Sequence, residues 1–218
     1  MLGLSNITKK YGRRGLEILA LDNVSYEFNP GKFHILYGES GSGKSTLLMT
    51  AGSMMEPDSG EVIFEGENIY SISSSMQNRL RNRKIGFVFQ NFHLVPYLTV
   101  FKNILLPVAL RNDSNFRERV DAVIRNLHLS DRIGHYPCEL SVGQQQRVAV
   151  ARALAGTPEL ILADEPTGNL DPENAGIIAR ALKAEAESGK TIIVATHEKS
   201  LMELADIKLH IRSGKLAN

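Results

Sequence analysis

Residues Gly38 to Ser45 read GESGSGKS, a glycine-spaced run that fits the pattern G-x-x-x-x-G-K-[ST]. Glycines 38, 41 and 43 let backbone N–H groups turn inward around an anion without Cβ clashes. The apolar run Phe33 to Tyr37 leads into the loop as a strand. Lys44 to about Gly52 leads out of it as a helix, with Leu47, Leu48 and Ala51 on one face. That helix adds its positive N-terminal end to the site. Lys44 is placed to reach the β and γ phosphates, and the Ser45 hydroxyl to ligate magnesium. Glu39, Ser40, Ser42 and Thr46 fill out the loop. The unit predicts a nucleoside triphosphate site.

Far downstream the run Leu160 to Ala163 ends in Asp164-Glu165. Asp164 is placed to hold magnesium, and Glu165, one residue further, to accept a proton from an attacking water. Two acids at a strand-to-turn junction are ordinary by themselves; beside a phosphate loop they read as catalytic. Ser141 and Gln144 fit the capping-box pattern S-x-x-Q, an ordinary helix start. The same helix N-terminus, with its serine hydroxyl and Gly143, is also an anion site, and both readings hold at once.

At 218 residues the chain can bury a full core as one domain, and its 43% apolar and 22% charged residues suit a globular protein. A formal net charge of +1 gives no strong attraction to nucleic acid or anionic lipid, so no nucleic-acid partner is expected. The single cysteine, Cys138, excludes an internal disulfide and reads as a packing residue. The N-terminus lacks a signal-peptide pattern, and no apolar window is long enough to span a bilayer. Any membrane role is therefore expected to come through a partner chain. The histidines at 34, 93, 128, 135 and 210 show no metal-ligand spacing.

Short strands are expected at Leu2–Thr8 and Ile18–Phe28, with a turn at Asn29-Pro30-Gly31 and a hairpin around Gly66. Ile85 to Phe89 reads as a buried strand ending at Gln90. Val100 to about Leu127 reads as helical, broken near Pro107 and again around Asn112 to Ser114. A helix over Gln144–Leu154 precedes alternating strands and helices, among them a helix from Pro172 capped by Asp171. The fold class is α/β: a P-loop core with a mostly parallel sheet, an N-terminal antiparallel β subdomain and an inserted α-helical subdomain. Residues 1–90 and 157–218 are assigned to the core and 91–156 to the helical part of a single domain. The glycine loop, Gln90, Asp164 and His197 each follow an expected strand, where α/β folds bind ligands.

In order, GESGSGKS, Gln90, LSVGQQQR (Leu140 to Arg147), LILADEP (Leu160 to Pro166), Asn169-Leu170-Asp171 and His197 resemble the ATP-binding cassette family. The resemblance covers essentially the whole chain. It implies ATP hydrolysis with Mg²⁺ by two domains paired head to tail, each nucleotide lying between one subunit's phosphate loop and the other's signature. A homodimer, or a pair with a second ATPase of this type, and a transmembrane permease subunit are the implied partners. Residue by residue, it places Ser141, Gly143 and Gln144 on the opposite subunit's γ-phosphate. Gln90 would touch magnesium and the attacking water, Glu165 would be the base, and His197 would contact the γ-phosphate. Asp171 would lie across the dimer interface, and Tyr11 would stack on adenine, the lesser alternative being a surface tyrosine beside Lys9 and Lys10. Val142 stands where the family has a glycine, which puts crowding of the closed interface in question.

The stretch from Arg81 to Pro107 resembles the branch of lipoprotein-release, macrolide-type and antimicrobial-peptide exporters, and also the cell-division ATPase. Phe92, Leu94, Tyr97 and Leu98 would then line a groove for the membrane subunit, the alternative being that they pack the helical subdomain internally. The implied location is cytoplasmic, peripheral on the inner face of the membrane. A non-transporting ATPase that drives a membrane partner in signalling or cell-wall remodelling is the competing function.

Overall fold

Residues alternate between the two faces of a strand, and a sheet covered on both sides reads as continuous apolar runs. The computed structural model describes residues 1–12, 17–109, 111 and 116–217. In chain order the elements are β1 (Leu2–Tyr11), β2 (Ile18–Phe28), β3 (Phe33–Tyr37), α1 (Lys44–Ala51), β4 (Ser59–Phe64) and β5 (Glu67–Asn68). There follow α2 (Ser74–Lys84), β6 (Ile85–Val88), α3 (Val100–Leu105), α4 (Phe116–Asn126), α5 (Val142–Ala155) and β7 (Leu160–Asp164). The chain closes with α6 (Pro172–Glu187), β8 (Thr191–Ala195), α7 (Lys199–Glu203), β9 (Ile207–Arg212) and β10 (Lys215–Ala217).

The six-stranded central sheet has the order β10-β9-β3-β8-β7-β6 and is parallel apart from the β9–β10 hairpin. Its alternation sorts two cores. Phe33, Ile35, Ile161, Ala163, Ile192 and Val194 pack with α3 to α6. Leu36, Leu160, Leu162, Ile193 and Ala195 pack on the other face with Leu47 and Leu48 of α1 and with the antiparallel sheet. That second sheet runs β2-β1-β4-β5, and Ile7, Leu21, Val24, Phe28 and Val62 are its buried face. The expected class is therefore observed: a mostly parallel core, an antiparallel β part and inserted helices.

Local differences have physical reasons. β1 runs on to Tyr11, past the expected end at Thr8, because register shifts between Leu4 and Ile7, Ile7 and Lys9, and Lys9 and Lys10 break its alternation. The hairpin's return strand shrinks to Glu67–Asn68. The break near Pro107 is a turn after α3, whereas the one at Asn112 to Ser114 lies outside the described residues. Helix α2 has no counterpart in the sequence reading. None of its residues is fully buried, so it carries no apolar stripe to detect. Among the described residues, no helix is long and apolar enough to cross a membrane.

Candidate functional site

The phosphate loop owes its shape to its neighbours as much as to its glycines. A Cβ on Gly38 would stand 2.1 Å from the Ile211 carbonyl oxygen. At Gly43, φ is +111° and a Cβ would meet the Ala20 carbonyl oxygen at 2.3 Å. Only glycine lets the loop lie this close to β2 and β9. Gly214 N donates to Ser42 O at 2.9 Å, tying the loop to the turn between β9 and β10. Lys44 folds back over its own loop, Nζ donating to Gly38 O at 2.8 Å and Glu39 O at 3.0 Å. A lysine ammonium has three donors, so one is left for a ligand.

Asp164 ends β7 and is 8% exposed. Burial pushes its carboxyl above the usual range, and a hydrogen bond from Ser45 and the charge of Lys44 pull against that shift. A hydroxyl and a buried carboxylate, both hard oxygen donors, thus meet beside the loop. Next to them Glu165 takes a left-handed backbone, φ +46°, a conformation that costs a non-glycine residue roughly 1–3 kcal/mol. Its N–H donates to Ala195 O at 2.9 Å, which fixes the twist against the neighbouring strand. Thr196 Oγ1 donates to Glu165 Oε2 at 3.1 Å, and His197 Nδ1 lies 2.8 Å from Oε1. That hydrogen bond to Glu165 raises the His197 imidazole above its ordinary value. The carboxylate is held at both oxygens, with Glu165 mostly buried and His197 largely exposed.

These groups share one cleft of about 680 Å³. It is lined by Gly38, Glu39, Ser40, Gly41, Gly43, Lys44, Ser45 and Thr46 with Tyr11, Gln90, Asp164, Glu165 and His197. Thirteen expected site residues are brought together. Ser42 belongs to the loop but is buried beneath it. Ile18, Ala20 and Gly168 complete the wall and were missed by the sequence reading, as was the place in it of Asn169, which that reading named only as part of a turn. Ile18 pairs with Tyr11 across the β1–β2 hairpin and is 70% exposed, and that exposed apolar side chain is the one cue a sequence could have offered.

Ser141, Gly143, Gln144 and Asp171 are not in that cleft. Ser141 caps α5: its Oγ accepts from Gln144 N at 3.3 Å, and its N–H donates to Gln144 Oε1 at 3.0 Å. The capping box is therefore real. Gly143 is buried against α6, where a Cβ would come 2.6 Å from Asn174 Cγ. Asn174 is itself engaged, donating from N and Nδ2 to Asp171 at 2.9 and 2.5 Å. A side chain at 143 would have to displace the Asn174 amide and its bond to Asp171, whereas Val142 is 55% exposed and has room within the single subunit.

A second groove of about 390 Å³ lies between the segment after Gln90 and the start of α5. Phe92 and Leu94 line it, Leu94 also packing against the helical core. Tyr97 is 77% exposed, while Leu98 is half-buried outside the groove. Arg152 of α5 anchors this segment, donating to Phe92 O at 2.8 Å and His93 O at 2.6 Å. Cys138 is exposed on the groove's rim, contrary to its expected packing role, because its short Pro137–Glu139 turn directs it outward.

The sequence profile of the ABC transporter family matches residues 21–168. An uncharacterised ABC transporter ATP-binding protein of Methanocaldococcus jannaschii, MJ1508, is 41% identical over 99% of this chain and 97% of its own length. The macrolide export ATP-binding/permease protein MacB of Syntrophobacter fumaroxidans is 39% identical over 98% of this chain, which spans 31% of that longer protein. The dimeric, post-hydrolysis structure of the cassette MJ0796 bound to ADP and Pi superposes with a TM-score of 0.93. It is 36% identical and covers 100% of this chain and 97% of its own. With the phosphate loop, paired acids and capped signature helix in one fold, the chain belongs to the ABC transporter family, as one of its ATP-binding, ATP-hydrolysing cassettes.

Proposed function

We propose that the chain powers a membrane transporter from the cytoplasmic face, working as a pair of identical cassettes beneath a separate transmembrane subunit. The observation that carries this reading is the separation of parts. The signature residues Ser141 to Gln144 begin α5 outside the cleft that holds Lys44, Asp164 and Glu165, so one copy holds an incomplete site. MJ0796 is dimeric, and pairing of the present chain head to tail, as the family resemblance implies, would let Ser141 and the N-terminal end of α5 face the triphosphate held opposite. Asp171, exposed at the start of α6, would then lie along the seam.

Within each cleft, Lys44 and the loop N–H groups would bind the β and γ phosphates, with Tyr11 under the base. Glu165 would take the proton of the attacking water, Gln90 would orient that water, and His197 would contact the γ-phosphate. Ser45 and Asp164 fit Mg²⁺, which takes oxygen ligands and is held by few protein groups. When bound, it would neutralise charge on the triphosphate. The fit to MacB and the groove lined by Phe92 and Leu94 favour an export-type subunit acting on a peptide, lipoprotein or drug-like substrate.

The composite site is tested by Ser141→Asp. Asp is as good an N-cap as Ser, so α5 keeps its start. Its charge faces the triphosphate only if two chains pair. ATP affinity of the single chain should be unchanged, while ATP-driven dimerisation, followed by sedimentation, and phosphate release should fall by about 100-fold or more. Unimpaired turnover would show that the signature plays no part in hydrolysis.

A further inference from the structure

Tyr11 stands at the far end of β1 and lines the cleft, the residue being 41% exposed. An exposed ring at a strand end makes a poor platform unless something fixes where it points. Here the anchor is at the hydroxyl, which donates to Met55 Sδ at 2.8 Å and lies 3.4 Å from Thr46 Oγ1. Thr46 follows Ser45 in the first turn of α1, and Met55 lies just beyond that helix. Met55 is fixed in turn. Its carbonyl accepts from the Tyr70 hydroxyl at 2.7 Å, a proton shared with Thr50 O at 2.8 Å. The Glu56 carbonyl that follows accepts from Lys9 Nζ at 2.8 Å. Tyr70 thus sets Met55, and Met55 sets Tyr11.

We propose that Met55 is a positioning residue for base recognition, holding the Tyr11 ring in place over the cleft through its thioether and tethering it beside the phosphate helix. The proposal rests on the reading of Tyr11 as the surface that stacks on the base. A thioether suits the task because it accepts a hydrogen bond without placing charge beside a triphosphate. It acts only through Tyr11, so it should influence the base and leave the phosphates alone.

The test compares ATP with inorganic tripolyphosphate, which has no base. Leu in place of Met conserves volume and removes the acceptor. Met55→Leu should weaken ATP binding about threefold to tenfold, the range of one net hydrogen bond, and leave tripolyphosphate affinity unchanged. KM for ATP should rise by the same factor with kcat intact. Tyr11→Phe, a change at an exposed ring that does not endanger folding, should reproduce the effect. Met55→Leu added to Tyr11→Phe should cost nothing more. Wild-type ATP affinity in Met55→Leu overturns the proposal, as does equal weakening of both ligands or additivity in the double variant. If the wild-type protein binds tripolyphosphate as tightly as ATP, the platform reading of Tyr11 fails and the anchor fails with it.

Discussion

Replacing Glu165 with Gln should lower phosphate release by roughly 10²–10⁴-fold, the usual contribution of a positioned general base, while ATP stays bound. The amide keeps the shape of the carboxylate and still accepts from Thr196 Oγ1 through its Oε1, so the left-handed turn at 165 keeps its strand contacts. What is lost is a group able to take a proton. On the proposed composite site, in which ATP joins the two copies and hydrolysis parts them, the variant should accumulate as an ATP-bound dimer in sedimentation experiments. The same substitution has a spectroscopic signature. Glu165 raises the His197 pKa, first through their hydrogen bond and then through charge, so the neutral amide should let the His197 titration midpoint fall. The sign follows from linkage. The pair's contribution is fully present below the ordinary histidine pKa and is lost as pH rises through the raised folded value. Wild-type hydrolysis in Glu165→Gln would remove Glu165 as base, and an unmoved His197 midpoint would remove the contact.

Much of this site could be read from residue types and spacing, and the failures share a cause. GESGSGKS, the acids after Leu160–Ala163 and His197 lie at strand ends in continuous apolar runs, and parallel β3, β6, β7 and β8 carry them to one edge. Helix α2 escaped because SSMQNRLRNRK has no apolar face; only the Ser73 cap, accepting from Met76 N at 3.4 Å, and the basic last turn mark it. The walls at Ile18 and Ala20 were invisible for a different reason. They reach the cleft because Gly43 packs under Ala20, a contact between segments far apart in sequence. The same holds for Gly143, which packs against Asn174 on another helix, whereas Asn103 escaped for a local reason, its own preceding loop folding over it. Asn103 reads as an ordinary polar residue but is fully buried, bonding to Val95, Leu98 and Thr99. Local pattern identifies elements; it does not identify which of them will touch.

Replacing Lys44 with Ala should act one step earlier than the change at Glu165, on binding itself. The ammonium has two duties in the structure. Its bonds to the Gly38 and Glu39 carbonyls cross-brace the first half of the loop, and its remaining donor is left for the cleft. Ala removes both the brace and the positive charge. A hydrogen bond to a charged group contributes about 1.5–3 kcal/mol, so ATP affinity should fall roughly 10- to 100-fold from the phosphate contact alone. Loss of the brace adds to this through the entropy of re-ordering the loop around the ligand. The fold should survive, since Leu47, Leu48 and Ala51 of α1, not Lys44, pack the core. Lys44→Arg separates the two duties: it keeps the charge, but its larger, planar head cannot reproduce the ammonium's fit inside the loop. It should bind better than the Ala variant and worse than the parent. Calorimetric titration with ATP and with inorganic tripolyphosphate should show equal proportional losses for Lys44→Ala, because the lysine addresses phosphate and not base. Full ATP affinity in Lys44→Ala, or a loss confined to ATP, would contradict the phosphate contact assigned to this side chain.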